Sequence, residues 1–279
     1  VKLHIDGRKT AVNMEKVDEA GFFAALVSSK KKLSYTYSVE KVNGEVTEYT
    51  DSYAFANVTK PEDYKAFLAG EEKNAAHIFG AHERTVNGVK GVLFNVWAPK
   101  ALSVSVVGEF NKYDGRVHLM ERIEDTGVFE LFIPGLAAGC GYMYEIKRQG
   151  KGTTRKLDPV SRQISSVPIT ASVVSDENMP DSYAWNDGLW MIKRKKEAGK
   201  KKPVTVYEVS LTDWLKEKSA DELVDFVKQE GYTHVCFLPV AEYLNEEMNG
   251  YSTLGYFAVT HRTGGSDAFK KLVDDCHNA

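Results

Sequence analysis

Cysteine is scarce in this chain: Cys140, Cys236 and Cys276 are the only three in 279 residues, far apart and odd in number. They fit neither a disulfide framework nor a zinc site, and imply reduced thiols in a cytoplasmic protein. The seven histidines are scattered, without HxxxH or CxxC partners, so no metal is expected. A dominant charge sign is missing too. Against 39 acidic residues stand 36 basic ones, for a formal net charge of −3. Such a balance offers no global field to attract nucleic acid or an anionic membrane surface. No apolar run reaches the length needed to span a bilayer. The opening VKLHIDGRKT lacks the apolar core of a signal peptide. It also lacks a starting Met and enters directly into strand-like alternation, so a cut N-terminus is expected. No cofactor is expected, and a neutral polysaccharide partner is compatible with the charge.

What is present is ordinary globular material, 43% hydrophobic and 27% charged, long enough for two or three domains. Its most informative pattern before residue 200 is a duplication. MEKVDEAGFFAALV (14–27) aligns without gaps on MERIEDTGVFELFI (120–133). Downstream, LSYTYSVEK matches CGYMYEIKR, setting Tyr35 and Tyr37 opposite Tyr142 and Tyr144, and Asp51 then falls opposite Asp158. Each copy alternates apolar and polar residues between Gly-rich turns, as half-buried antiparallel strands do. The expected architecture is multidomain. A first β-sandwich covers 1–60, a helical connector 61–80, a second β-sandwich 81–174 and a linker 175–202. Phe23 and Phe129 are expected in equivalent cores. The basic run KRKKEAGKKK reads as a solvated surface, since no Gly-rich phosphate cradle accompanies it.

From Pro203 the period changes. VTVYEVSL and THVCFLPV read as buried parallel strands near 204–211 and 233–240. Leu223, Phe226 and Val227 fall at helical spacing between them, with Ser219 and Glu222 set for a capping box over a helix 219–230. Ser266 opens a second helix, 266–277. Alternating β and α predicts the start of a (β/α)8 barrel over 203–279, too short to close on itself. Function in such a fold sits on loops at the carboxyl ends of the strands. Here those loops carry Thr212, Asp213 and Trp214, then Glu242, Tyr243, Glu246, Glu247, Asn249 and Tyr251. Rings there can stack on pyranose faces and acids can bond hydroxyls, or the carboxylates can simply solvate a long loop. Spacing alone does not choose among them.

The runs VYEVSLTDW (206–214), THVCFLPVAE (233–242), GYSTLGYFAVTHRTG (250–264) and AFKKLVDDCH (268–277), in that order, resemble the start of the catalytic barrel of 1,4-α-glucan (glycogen) branching enzymes, of the α-amylase superfamily (glycoside hydrolase family 13 type). Upstream, FGAHE (79–83), FNVWAPKALSVSVVGEFNKYDGR (94–116) and PVSRQISSVPITASVV (159–174) resemble that family's glucan-binding-type module, carbohydrate-binding module 48. The resemblance implies an immunoglobulin-like fold for the β-modules. It also implies retaining transglycosylation that makes α-1,6 branches in glycogen, with an Asp nucleophile, a Glu acid/base and a second Asp. All three lie on strands beyond the second, so no catalytic residue is expected within 1–279 and this chain alone is expected to be inactive.

Tyr251 matches the family Tyr that stacks on the sugar at the cleavage point; its alternative is a loop anchor. Trp97 matches a platform position of the module, with a core or interdomain role as alternative. Tyr113 and Tyr243 are further substrate-binding candidates. Some positions depart from the family: Ser210 stands for His, Asn249 for Trp, Tyr113 for the Trp of FNxWDG, and no aromatic occupies 155–157. The expected partner is an α-1,4-glucan, with no nucleic acid and no membrane. An incomplete barrel should expose Val204, Val206, Val235 and Phe237, or their alternates, and be compensated by self-association, by docking onto the β-modules or by local disorder. Two other readings remain: a non-catalytic glucan-binding or scaffolding protein, and a related debranching-type enzyme.

Overall fold

A computed structural model describes residues 1–30, 33–165, 169–175 and 183–279. The chain divides into two compact units: residues 1–140 with 144–154, and residues 141–143 with 155–279.

The first unit opens with a four-stranded sheet, in the order Val12–Asn13, Lys2–Ile5, Tyr35–Glu40, Val46–Tyr49. Its pairings are antiparallel, with Leu3 opposite Tyr37 and Tyr37 opposite Tyr49. Leu3 and Ile5 are buried, as period-two alternation requires. Glu15–Lys16 and Phe23–Ala24 form a separate two-residue ladder. All four residues of this ladder are exposed. Phe23 is 38% exposed rather than in a core, and Leu26 is fully exposed.

The second copy shows what the first lacks. Glu121–Arg122, Val128–Pro134, Val89–Trp97 and Gly80–Val86 form a continuous antiparallel sheet in that order. Val128–Pro134 pairs with Val89–Trp97 over seven residues, from Val128 opposite Trp97 to Pro134 opposite Gly91. Ser103–Gly108 pairs with a different strand, Gly141–Arg148. Phe129, Phe132, Val92, Phe94, Val104 and Val106 are all buried. The connector 61–80 is not one helix; it breaks into 3-10 turns at Pro61–Tyr64 and Ala75–His77 and a single helical turn, Lys65–Leu68. The residues just before it, Val58 and Thr59, are tied down by the buried Glu130. This carboxylate accepts from the Val58 N–H at 2.6 Å, the Thr59 N–H at 3.3 Å, the Thr59 hydroxyl and Asn95 Nδ2 at 3.1 Å.

In the second unit, Ile164–Ser165 pairs with Ala171–Val173 beside the first residues of strand Gly141–Arg148. Part of the 159–174 motif, at 166–168, and the start of the linker, at 176–182, lie outside the described residues. The first half of the basic run falls on the helix Gly188–Glu197, which has no buried residue. Then Val206–Val209 and His234–Phe237 pair in parallel, Val206 opposite His234 and Val209 opposite Phe237. Both are shorter than the sequence pattern suggests. Leu211 already starts a helical turn, and Pro239 has no N–H to extend a ladder.

Helix Ala220–Gln229 joins the two strands. Its capping box forms as expected: Ser219 Oγ accepts from the Glu222 N–H at 3.2 Å, and the Glu222 carboxylate accepts from the Ser219 N–H at 2.7 Å. The last helix is Gly265–Asn278, one residue longer at each end than expected. Its N-cap is Gly264, whose φ of 87° suits glycine, so Ser266 lies inside the first turn. Tyr207, Val209, Val235 and Phe237 pack against a core of Leu211, Leu223, Val227 and Leu272. The opposite strand faces stay open. Val204, Val206 and Cys236 are exposed, while Val235 and Phe237 are partly buried against that core, so the open positions mix the expected set with its alternates.

Candidate functional site

A cavity of about 100 Å³ opens at the carboxyl ends of the parallel pair. This is where βα sheets place their ligands, because the strand-end loops splay apart there. Its lining includes Ser210, Asp213 and Lys216 after the first strand, and Pro239, Tyr243 and Asn249 after the second. Ser210 caps the turn Leu211–Trp214, its Oγ accepting from the Asp213 N–H at 3.2 Å. The hydrogen bond from Lys216, at 2.7 Å, holds the Asp213 carboxyl below its usual range.

The second wall is a hairpin, Ala241–Tyr243 against Thr253–Val259. Its register is irregular. Ala241 pairs with Val259 but Glu242 with Gly255, so Tyr256, Phe257 and Ala258 drop out of the ladder, the first two exposed and Ala258 buried. The loop between the strands reverses at Asn249 and Gly250, with φ of 47° and 87°. A Cβ at Gly250 would sit 2.8 Å from the Pro239 carbonyl, so the loop is pressed onto the strand end. Tyr251 follows, its N–H donating to Met248 O at 2.9 Å and its ring 65% exposed.

Beneath this loop lies a carboxylate that sequence reasoning treated as a possible sugar ligand. Glu242 is 2% exposed. It accepts from Arg262 Nη1 at 2.6 Å, the His261 N–H at 3.0 Å, Thr260 Oγ1 at 3.3 Å and the Tyr243 N–H at 3.2 Å, with His261 Nδ1 at 2.9 Å. Burial alone would raise this carboxyl, but the hydrogen bonds from His261 and Tyr243 outweigh it and leave it below its usual range. The Arg262 guanidinium also lies over the Tyr243 ring, 4.3 Å from its centroid. With its acceptor sites taken, Glu242 braces the loop and is not free for a hydroxyl.

The four sequence-predicted residues fall in different settings. Tyr243 is a buried part of the cavity wall, whereas Tyr251 is exposed and not among the lining residues, although Asn249, two residues before it, is. In the first unit, Trp97 is half-exposed at a strand end, edge-on to Phe67 at 5.3 Å. Tyr113 is half-buried in a turn with φ of 57°. Arg262, His261 and Thr260 were missed as individuals, although the THR run directly follows a strand and could have drawn notice. Among the described residues no cluster of three His, Cys, Asp or Glu could hold a metal, and no helix is long and apolar enough to cross a membrane. None of the three cysteines is disulfide-bonded.

A β-module ahead of a βα segment with its cavity at the strand ends is an arrangement with known counterparts. Residues 78–161 match the family model for carbohydrate-binding module 48 (isoamylase N-terminal domain). A crystal structure from Salmonella typhimurium, described as an alpha amylase, superimposes with a TM-score of 0.50 at 24% identity, over 72% of this chain and 31% of that one. That likeness speaks for the fold. The particular resemblance is sharper: the chain aligns with the N-terminal part of 1,4-alpha-glucan branching enzymes. It is 38% identical to that of Methylococcus capsulatus over 95% of its own length and 37% of the relative's. It is 39% identical to that of Nitrosococcus oceani, over 88% of this chain and 34% of the relative. The chain thus spans little more than a third of the length of these curated relatives.

Proposed function

We propose that this chain is the N-terminal portion of an enzyme that branches α-1,4-glucans by retaining transglycosylation. Residues 203–279 then begin a (β/α)8 barrel, and the cavity at the strand ends is one edge of its sugar site. The single observation that carries this reading is the alignment with branching enzymes over nearly the full chain, with the strand-end cavity lying between two of the matching motifs. Tyr251 serves as a stacking ring for a glucosyl unit; it is exposed and directly follows the Asn249–Gly250 turn, whose Asn249 lines the cavity. Tyr243 shapes the wall. Trp97 is the candidate platform on the first unit, since its half-exposed indole leaves one region open to a sugar, and Tyr113 is the weaker partner. The nucleophile and the acid/base are supplied by residues outside 1–279.

Titration of the chain with maltoheptaose, followed by NMR, tests this. Binding that Tyr251→Ala weakens supports the barrel subsite, and binding that only Trp97→Ala weakens favours the second reading, a glucan-binding protein working through the module at 78–161. Branch points formed from amylose by the chain alone, and abolished by a substitution within it, would refute the assignment of the catalytic groups elsewhere.

A further inference from the structure

Glu242 and Arg262 are joined to each other and to both strands of the hairpin beside the cavity. We propose that they are positioning residues, a buried clasp that holds Tyr243 as the cavity wall and fixes the 244–252 loop that presents Tyr251 to a glucan. This rests on the glucan-site reading above.

The geometry makes the argument. Glu242 sits on the incoming strand, yet most of its partners come from the outgoing side: Thr260, His261 and Arg262. One carboxylate therefore staples the two ends of the hairpin. Regular pairing does not do so, because the register shifts on both sides of Glu242 and three residues bulge out of the ladder. Arg262 completes the clasp in two directions. One guanidinium nitrogen meets Glu242 at 2.6 Å, and the cation covers the Tyr243 ring at 4.3 Å. The ring thus has the cavity to line and the clasp to hold it. Above the clasp, the loop closes with Leu244 N–H donating to Ser252 O at 3.0 Å and Gly250 pressed against Pro239. Both cation and carboxylate are shielded, with 18% and 3% of their side chains exposed, so removing either leaves the other's charge shielded without its counter-ion. A planar, always-charged group suits this double duty, whereas an ammonium cannot both stack and bridge in the same way.

The test uses the chain with maltoheptaose as probe, reading affinity by NMR titration and amide exchange in 244–252 by mass spectrometry. Four variants are compared: Glu242→Gln, Arg262→Lys, Tyr251→Ala and Ser219→Ala. The last weakens a distant helix cap and controls for general destabilisation. Both clasp variants are expected to speed exchange in 244–252 and to weaken maltoheptaose by about tenfold, the scale on which a displaced contact is felt. Ser219→Ala leaves affinity and loop exchange unchanged. Affinity and exchange in the clasp variants that match Ser219→Ala, with Tyr251→Ala still weakened, overturn the clasp. Unchanged affinity in Tyr251→Ala instead sinks the underlying glucan reading, and loop exchange then judges the clasp by itself.

Discussion

The two copies of the duplicated hairpin make the same local structure and meet opposite fates. In the first, Glu15 pairs with Ala24 and Lys16 with Phe23; in the second, Glu121 pairs with Glu130 and Arg122 with Phe129. Gly21 and Gly127 take left-handed φ of 97° and 76° at the matching turn. The tyrosine–aspartate clasp recurs as well. Tyr35 donates to Asp51 at 2.9 Å and Tyr142 to Asp158 at 2.7 Å, while the N–H two residues after each aspartate, in Tyr53 and Val160, caps its other oxygen. Burial is where they part. Val17 is exposed where Ile123 is buried, and Phe23 is 38% exposed against 2% for Phe129. Hairpin and clasp are thus encoded locally, whereas core membership needs a neighbouring strand to extend the pairing and a second layer to cover it.

The largest expected contrast tests that difference directly. Phe129→Ala should lower stability by about 3–5 kcal/mol, as emptying a filled core site does. Phe23→Ala should cost less, about 1–2 kcal/mol, because 38% of the residue is already exposed and less apolar surface is lost. Denaturant midpoints of the two variants measure this, and equal losses would mean the first copy is packed after all.

The clasp offers the next contrast. In Tyr142 the phenol is raised well above its ordinary value, by burial first and by Asp158 second, and in Tyr35 the same two causes act on a more exposed ring. Tyr142→Phe should cost about 2 kcal/mol, since it strips a bond from a buried carboxylate, and Tyr35→Phe about 0.5–1 kcal/mol. Thermal unfolding of both variants checks the order.

A third contrast uses the turn glycines. Gly21→Ala meets open space and should cost about 1–2 kcal/mol for the left-handed backbone alone. At Gly127 the same Cβ would lie 2.9 Å from Pro99 Cα and 3.3 Å from Trp97 Nε1, so Gly127→Ala should cost more and disturb the Trp97 fluorescence environment.

The smallest effect concerns pH and extends the contrast to another carboxylate, the buried Glu242. Glu242, faced by Arg262 and His261, is held below its usual range in the folded protein. A depressed folded pKa contributes stability that is full above the unfolded value, about 4.3, and is lost as pH falls through the folded value. The Tm gap between wild type and Glu242→Gln should therefore hold steady from pH 7 to 5 and shrink in stronger acid. A gap that widens on acidification would contradict this assignment.

Sequence alone carried a good deal: the duplication, the paired tyrosines with their aspartates, the Ser219–Glu222 capping box and the β–α–β order after Pro203. These are short-range or periodic properties, set by turn chemistry, capping and the spacing of apolar residues. Strand-end position offered Tyr243 and Tyr251 among several candidates, and only the resemblance to branching enzymes singled out Tyr251. Only the tertiary structure decided that Glu242 is spent on a clasp, that Tyr243 is covered by Arg262, and that Phe23 stays partly exposed while Phe129 is buried. Each of these depends on partners distant in the chain or on a second layer, and a side chain's burial is a property of what folds over it. A carboxylate in a loop reads the same whether it faces solvent, sugar or arginine; packing alone makes the choice.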